Sequence, residues 1–147
     1  MLNKIRFMLQ VQGFSNFANF SVLLLRVVVG LAFMIHGFSK IQNPFAWMDP
    51  WLGPQAPVGI LQALAALSEF GGGLAWILGL LTPLASLGIA STMAVAVASH
   101  VAKGDAFVSS PGQASFELAA VYFAIALLFM MVGPGKFALD HKFFGNR

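Results

Sequence analysis

The sequence contains no cysteine among its 147 residues, and this absence excludes several kinds of redox site. Disulfides, a CxxC thiol–disulfide site, covalent haem attachment through CxxCH and iron–sulfur ligation all require cysteine. Quinone, flavin and non-covalently bound haem do not require it. Redox chemistry through these three groups therefore remains open.

Charge is also scarce, because charged residues make up 9% of the chain and apolar residues 59%. A soluble domain carries roughly 25% charged residues. The chain lacks the polar groups needed to cover a surface in water, so we predict that the surrounding solvent is lipid. The net charge of +3 comes without a basic run or an aromatic–basic stripe. We therefore expect no nucleic acid partner.

Four apolar segments, at residues 20–38, 58–80, 83–101 and 115–132, are long enough to cross about 30 Å of hydrocarbon. Short connections make neighbouring segments antiparallel. The predicted fold class is all-α: an integral membrane four-helix bundle with antiparallel, up-down topology. A chain of this length forms one domain.

The bundle is predicted to occupy residues 20–142, between an N-terminal segment and a short tail. Residues 1–19 lack a clean apolar core and a cleavage site, so they are predicted to be a cytoplasmic, interfacial segment and not a signal peptide. Residues 143–147 are predicted to be a cytoplasmic tail.

The distribution of basic residues predicts the orientation. The two tails together carry Lys4, Arg6, Lys136, Lys142 and Arg147, and the two loops on the other side carry Lys40 and Lys103. Basic residues concentrate on the cytoplasmic side. We therefore predict a multi-pass protein of a bacterial-type inner membrane with both termini in the cytoplasm. The long outer loop, residues 39–57, is predicted to fold back toward the membrane as a partial lid.

Five ionisable residues lie within the apolar segments, and they are the first candidates for function: Arg26, His36, Glu69, His100 and Glu117. A charge at membrane depth costs about 2.5–3.5 kcal/mol on insertion scales. Such side chains normally face a bundle interior or a wet cavity. Any chemistry is therefore expected near these residues.

Helical rise divides these residues into two groups by depth. His36, His100 and Glu117 lie near the outer ends of their helices, and Lys40 lies one turn beyond His36. The two histidines and Glu117 are the candidate catalytic residues, with Lys40 holding an anionic or carbonyl group.

Arg26 and Glu69 lie deeper in the bundle, with an axial offset of roughly 7 Å. They are predicted to pair and to brace the base of the site. Glycines at positions 30, 37 and 73 share the helix faces of these two residues. Small residues let membrane helices approach closely, so these faces are predicted to point inward.

The outer cluster is compatible with more than one chemistry. Its histidines would exchange protons with a bound redox molecule, because histidine titrates near neutral pH. Two histidines with Glu117 would instead form a metal site, and two histidines alone would ligate haem b. Metal and haem are the weaker alternatives, and no metal ligand is assigned. In a purely structural alternative the histidines form hydrogen bonds with the loop backbone. Glu117 then stabilises its helix by lying near the positive end of the helix dipole.

Several short strings resemble the DoxX family over residues 20–142. They are RVVVG at 26–30, HGFSK at 36–40, Glu69 with GGG at 71–73, LGLLTP at 78–83, the stretch from Glu117 to Tyr122, GPGK at 133–136, and Leu139 with Asp140. The resemblance implies a four-helix inner-membrane protein. Members have been linked to quinone-coupled sulfur oxidation and to membrane oxidoreductase complexes.

The leading hypothesis is an accessory or subunit of a membrane oxidoreductase system that binds a quinone or similar amphipathic molecule near the outer face. Lys40, Arg26, Glu69 and Tyr122 are its predicted ligand contacts. Partners would be the lipid bilayer and a membrane or periplasmic oxidoreductase subunit, and an oligomer is compatible with this reading. Whether the chain is itself an enzyme stays open. The alternative is a non-catalytic membrane module that binds lipid, a hydrophobic solute or a partner membrane protein. A small-solute or proton pathway is a third reading.

Overall fold

The computed structural model describes residues 15–145. In this part of the chain the helices are α1 (Asn16–Gln42), α2 (Asp49–Leu52), α3 (Gly59–Leu78), α4 (Thr82–Ala102), α5 (Glu117–Val132) and α6 (Leu139–Phe144), with a 3₁₀ turn at Gly53–Gln55. The described residues form no β-strand, only an isolated bridge between Ala106 and Ser115. Most of the predicted interfacial segment, residues 1–14, lies outside the described residues, as do residues 146–147 of the predicted tail.

The length and apolarity of the helices confirm the predicted fold class. Three helices, α1, α3 and α4, have 27, 20 and 21 residues and are long and apolar enough to cross a membrane. The apolar α5 has 16 residues, which corresponds to about 24 Å of helix. It begins at Glu117, two residues later than predicted, because Ser115 and Phe116 belong to the preceding loop.

The interior is a small aromatic and aliphatic core, and large apolar side chains also cover the outside. Trp76 is fully buried, with T-shaped ring contacts to Phe33 at 5.6 Å and to Phe129 at 4.9 Å. Ile35 and Val95 are 75% and 66% exposed. A surface of this kind is stable in lipid and would aggregate in water.

Helices α1 and α3 pack with their backbones in close approach. A Cβ atom on Gly73 would lie 2.7 Å from the carbonyl oxygen of Gly30, and one on Gly37 would lie 2.5 Å from the backbone nitrogen of Phe70. The predicted inward-facing glycines thus form the seam between these helices. The seam also sets the antiparallel register, with Gly30 opposite Gly73.

The two ends of the bundle differ. At one end, here called the turn end, α3 stops at Gly79 in the left-handed conformation (φ +64°), and α4 begins almost at once with Pro83 in its first turn. The other end, the loop end, carries the long α1–α3 and α4–α5 connections, residues 43–58 and 103–116.

Candidate functional site

A cavity of about 940 Å³ occupies the loop end, between α1, α3, α4, α5 and the α1–α3 connection. Its lining brings together five of the seven predicted site residues. They are His36, Lys40, Glu69, His100 and Tyr122. The other two, Arg26 and Glu117, do not line it.

Lys40 and Glu69 form an ion pair on the cavity wall. The ammonium of Lys40 donates to both carboxylate oxygens of Glu69, each at 2.6 Å. The Glu69 side chain is 4% exposed and that of Lys40 22%. The ammonium also lies 4.5 Å from the centre of the Trp47 ring, within cation–π range. The cavity therefore meets a neutral pair here and not an isolated charge.

The two histidines of the cavity have different surroundings. His36 is exposed on α1. His100, at the end of α4, has Nδ1 2.7 Å from the Oδ2 atom of Asp105. When Nδ1 carries the ring proton it donates to Asp105, which leaves Nε2 as a proton acceptor. Sequence reasoning missed Asp105, although an aspartate five residues after a helix-terminal histidine was a usable indication.

The remaining cavity wall is mainly apolar. Tyr122 approaches from α5, with its ring 4.8 Å from that of Phe33. Leu64, Met93 and Val95 contribute aliphatic and thioether surface. A few polar groups in an otherwise apolar concavity are typical of sites for amphipathic small molecules.

Gln62 fastens the α1–α3 connection over the start of α3. Its side chain accepts from the Met48 backbone N–H and donates to Asp49 Oδ1 and the Pro57 carbonyl, each at 2.8 Å. Trp47 Nε1 donates to the Gln62 carbonyl at 2.9 Å. Because Trp47 and Met48 line the cavity, this connection covers part of it. Sequence reasoning did not single out Gln62, a lone glutamine in an apolar helix.

Glu117 lies apart from the cavity. It is exposed in the first turn of α5, where the positive end of the helix dipole stabilises a carboxylate. Within residues 15–145, no three His, Asp or Glu side chains are close enough to hold a metal ion. The alternative of a metal site built from His36, His100 and Glu117 is therefore wrong.

Arg26 lies at the turn end and does not pair with Glu69. Its Nε donates to the Trp76 carbonyl at 2.7 Å, and Nη2 to the Ile77 carbonyl at 2.9 Å. Its Nη1 donates to the carbonyls of Pro134 and Phe137, at 2.8 and 3.0 Å. The guanidinium thus satisfies the last carbonyls of α3 and fixes the segment that follows α5.

The register of the seam explains why the predicted Arg26–Glu69 pair is wrong. With Gly30 opposite Gly73, Arg26 lies beside Trp76 and Ile77. Ile77 is eight residues beyond Glu69, about 12 Å along the helix. The axial offset between Arg26 and Glu69 therefore exceeds the roughly 7 Å expected from sequence. In this register the residue that lies beside Glu69 is Lys40.

Asp140 stabilises the α3–α4 turn at the turn end of the bundle. No role for this residue was predicted from the sequence. It is fully buried, and its two carboxylate oxygens accept from the backbone N–H groups of Leu81 and Thr82 at 2.6 and 2.8 Å. Its own N–H donates to the Gly79 carbonyl at 2.8 Å. Arg26 and Asp140 therefore hold the α3–α4 turn from its two sides.

Comparison with known proteins agrees with this architecture. The DoxX family model matches residues 21–102, a stretch that contains most of α1 and all of α3 and α4. An uncharacterized protein of Haemophilus influenzae (strain ATCC 51907 / DSM 11121 / KW20 / Rd) is 37% identical over 124 residues, which are 82% of this chain and 88% of that protein. No solved structure matches. The chain belongs to the DoxX family of membrane proteins.

Proposed function

We propose that the chain binds a neutral amphipathic molecule of the quinone class, as an accessory or subunit of a membrane oxidoreductase system. One observation carries the proposal: a cavity of about 940 Å³ with mainly apolar walls contains His36, the Lys40–Glu69 pair and Tyr122. Its volume lies near the top of the range for small-molecule sites.

The Lys40–Glu69 pair favours a neutral head over an anionic one. An ammonium has three donors, and Lys40 directs two of them at Glu69. An anion that accepted the third donor would lie beside the like-charged Glu69 carboxylate, and one that drew Lys40 away would leave this carboxylate, with 4% exposure, unpaired. Breaking a buried pair in this way costs on the order of 3–5 kcal/mol. A quinone carbonyl can accept a hydrogen bond without separating the pair.

The histidines suit proton exchange with such a head. Reduction of a quinone to its quinol takes up two electrons and two protons. In the proposal His36 and the His100–Asp105 pair exchange the protons with water, since His36 is exposed and both histidines line the cavity. The electrons come from a partner oxidoreductase subunit.

The distribution of Lys and Arg supports an orientation for this activity. It favours a bacterial-type inner membrane with both tails in the cytoplasm. The loop end, with its cavity, would then face the periplasm. A periplasmic or membrane-embedded partner would have access to it.

Tryptophan fluorescence tests binding, because Trp47 lines the cavity and Trp51 is 86% exposed. In a Trp51→Phe background, a benzoquinone with a decyl chain should quench part of the emission saturably. Trp47→Phe should remove the saturable part and leave the signal of buried Trp76. Lys40→Met should weaken binding about tenfold or more, and Lys142→Met, at an exposed site outside the cavity, should not. Absence of saturable quenching in the Trp51→Phe protein would refute the proposal.

Native mass spectrometry separates the proposal from the alternative of a non-catalytic module. A quinone retained by the purified protein supports the proposal. A retained phospholipid, without a redox-active molecule and without quinone binding in the fluorescence titration, supports the lipid-binding module.

A further inference from the structure

We propose that the ligand enters the cavity from the bilayer, through an opening between α3 and α4, and that its apolar tail stays in that opening. This inference rests on the proposed function. It adds that the ligand is lipid-dissolved and long-tailed, with its head directed toward α1.

The opening has a defined floor. Helices α3 and α4 approach closely at Ser68 and Gly88, where a Cβ atom on Gly88 would lie 2.8 Å from Ser68 Oγ. Both residues line the cavity, so the cavity begins at this contact and extends toward the loop end.

Above the floor, the cavity reaches the membrane-facing surface. Leu61 and Leu64 of α3 line the cavity, yet they are 55% and 53% exposed. Ser91, Val95 and Ser99 of α4 also line it and are exposed. Side chains that face both the cavity and the outside mark a gap between these two helices.

The hydroxyl groups along the α4 side of this gap are already satisfied. Ser91 Oγ donates to the Leu87 carbonyl at 2.9 Å, and Ser99 Oγ to the Val95 carbonyl at 2.8 Å. Because these hydroxyl groups donate to carbonyls of the preceding helical turn, their donors are not available to a ligand. The gap therefore offers small side chains and aliphatic surface, which suit an apolar chain and not a polar head.

The polar groups lie on the opposite side of the cavity, apart from His100, which lies at the loop end in the last turn of α4. His36 and Lys40 project from α1, and the Lys40–Glu69 pair lies where α1 meets α3. Toward the loop end, Trp47 and Met48 cover part of the cavity, and Gln62 holds both. An amphipathic ligand thus satisfies the site with its head beside α1 and its tail between α3 and α4.

A second opening provides the competing route. His36 of α1 and Leu118 of α5 are exposed residues of the cavity lining. Among the residues of α1 and α5 that line the cavity, these two are the exposed ones. The opening between α1 and α5 therefore presents one imidazole and one leucine side chain. It therefore suits proton exchange better than it suits a tail.

Blocking variants in phosphatidylcholine nanodiscs test the route with two probes, the decyl benzoquinone and its tail-less head analogue. Ser91→Trp should weaken binding of the decyl compound at least tenfold and change binding of the head analogue less than twofold. Ala94→Trp is the matched control, because Ala94 is exposed on the same helix and does not line the cavity. It should leave both probes unaffected.

Each other outcome overturns the inference in a recognisable way. If Ser91→Trp behaves like Ala94→Trp, or if Leu118→Trp alone excludes the decyl compound, the ligand does not enter between α3 and α4 although it still binds. If wild type binds neither probe, the proposed function itself has failed. A diazirine at the end of the decyl chain should label α3 and α4 near Leu64 and Val95. Labelling confined to α1 and α5 would also refute the route.

Discussion

Lys40 donates to both carboxylate oxygens of Glu69 at 2.6 Å, and this contact joins α1 to α3 at the wall of the cavity. The pair supplies the site with polarity but no net charge. It also ties together the two helices whose glycines are in closest contact. Substitutions here should therefore affect both ligand binding and stability.

A double-mutant cycle on Lys40 and Glu69 should reveal strong coupling. Lys40→Met leaves the carboxylate of Glu69 buried without its partner, so we expect a loss of about 3–5 kcal/mol in unfolding free energy. Glu69→Gln should lose less, because Lys40 is 22% exposed and can reach water. The double variant should be more stable than the sum of the single losses predicts. Unfolding by SDS in mixed micelles gives these values, and strictly additive losses would show that the pair does not contribute.

Two glycines of α3 provide a matched test of the α1–α3 seam. In Gly73→Ala the new methyl would lie 2.7 Å from the Gly30 carbonyl oxygen and 2.9 Å from the Met34 nitrogen. Both contacts are with backbone, so the helices must separate, at about 1–3 kcal/mol. In Gly71→Ala the methyl meets only the end of the flexible Leu67 side chain. That variant should be neutral or gain up to about 1 kcal/mol of helix propensity. Equal stabilities of the two variants would contradict the seam.

The seam also shows how much the sequence could predict. Apolar segments and the breakers between them are local patterns, and they located the main helices to within a few residues. The glycine stripes correctly identified the inward faces. The relative axial position of two helices depends on how their surfaces fit, which no local pattern encodes. This is why Glu69 was assigned to Arg26 and not to Lys40.

The candidate site was predictable to the same degree. His36, His100 and Lys40 were placed at one level from helical rise alone, and all three line the cavity. The roles of Gln62 and Asp140 depend on connections that fold back onto distant helices. Gln62 is separated from its partners by irregular chain, and Asp140 lies 58 and 59 residues from Thr82 and Leu81, so spacing could not identify these contacts.

Gly79→Ala should be more destabilising than Gly104→Ala, although both glycines have positive φ, +64° and +78°. A left-handed alanine costs about 1–2 kcal/mol at either position. At Gly79 the new methyl would also lie 2.5 Å from Arg26 Nη2 and from Ala138 Cβ, whereas at Gly104 nothing lies within 4 Å. The excess loss, measured by thermal unfolding followed by circular dichroism, reports the contacts with Arg26 and Ala138 together. Equal losses would mean that both the guanidinium and Ala138 move aside freely.

Single cysteines should report the orientation without background, because the chain has none of its own. Gln113, in the α4–α5 connection, and Phe143, in α6, are both exposed. In intact cells a membrane-impermeant maleimide should label Gln113→Cys and not Phe143→Cys. Both should react after the cells are opened. The reverse pattern would place the cavity on the cytoplasmic side and refute the proposed orientation.

Replacing Gln62 should release the cover of the cavity while the bundle stays folded. Gln62→Leu keeps the approximate volume and removes the side-chain bonds to Met48, Asp49 and Pro57. We expect faster hydrogen exchange confined to residues 43–58, because that connection loses three of its links to α3. Gln55→Leu is the control, since Gln55 also lines the cavity but is exposed.

The same variant tests which ligands enter past the α1–α3 connection. If this connection closes only the loop end of the cavity, Gln62→Leu should admit the tail-less head analogue faster in stopped-flow quenching. Entry of the decyl compound between α3 and α4 should keep its rate. Equal acceleration of both probes would show that the two ligands share one route through the cover.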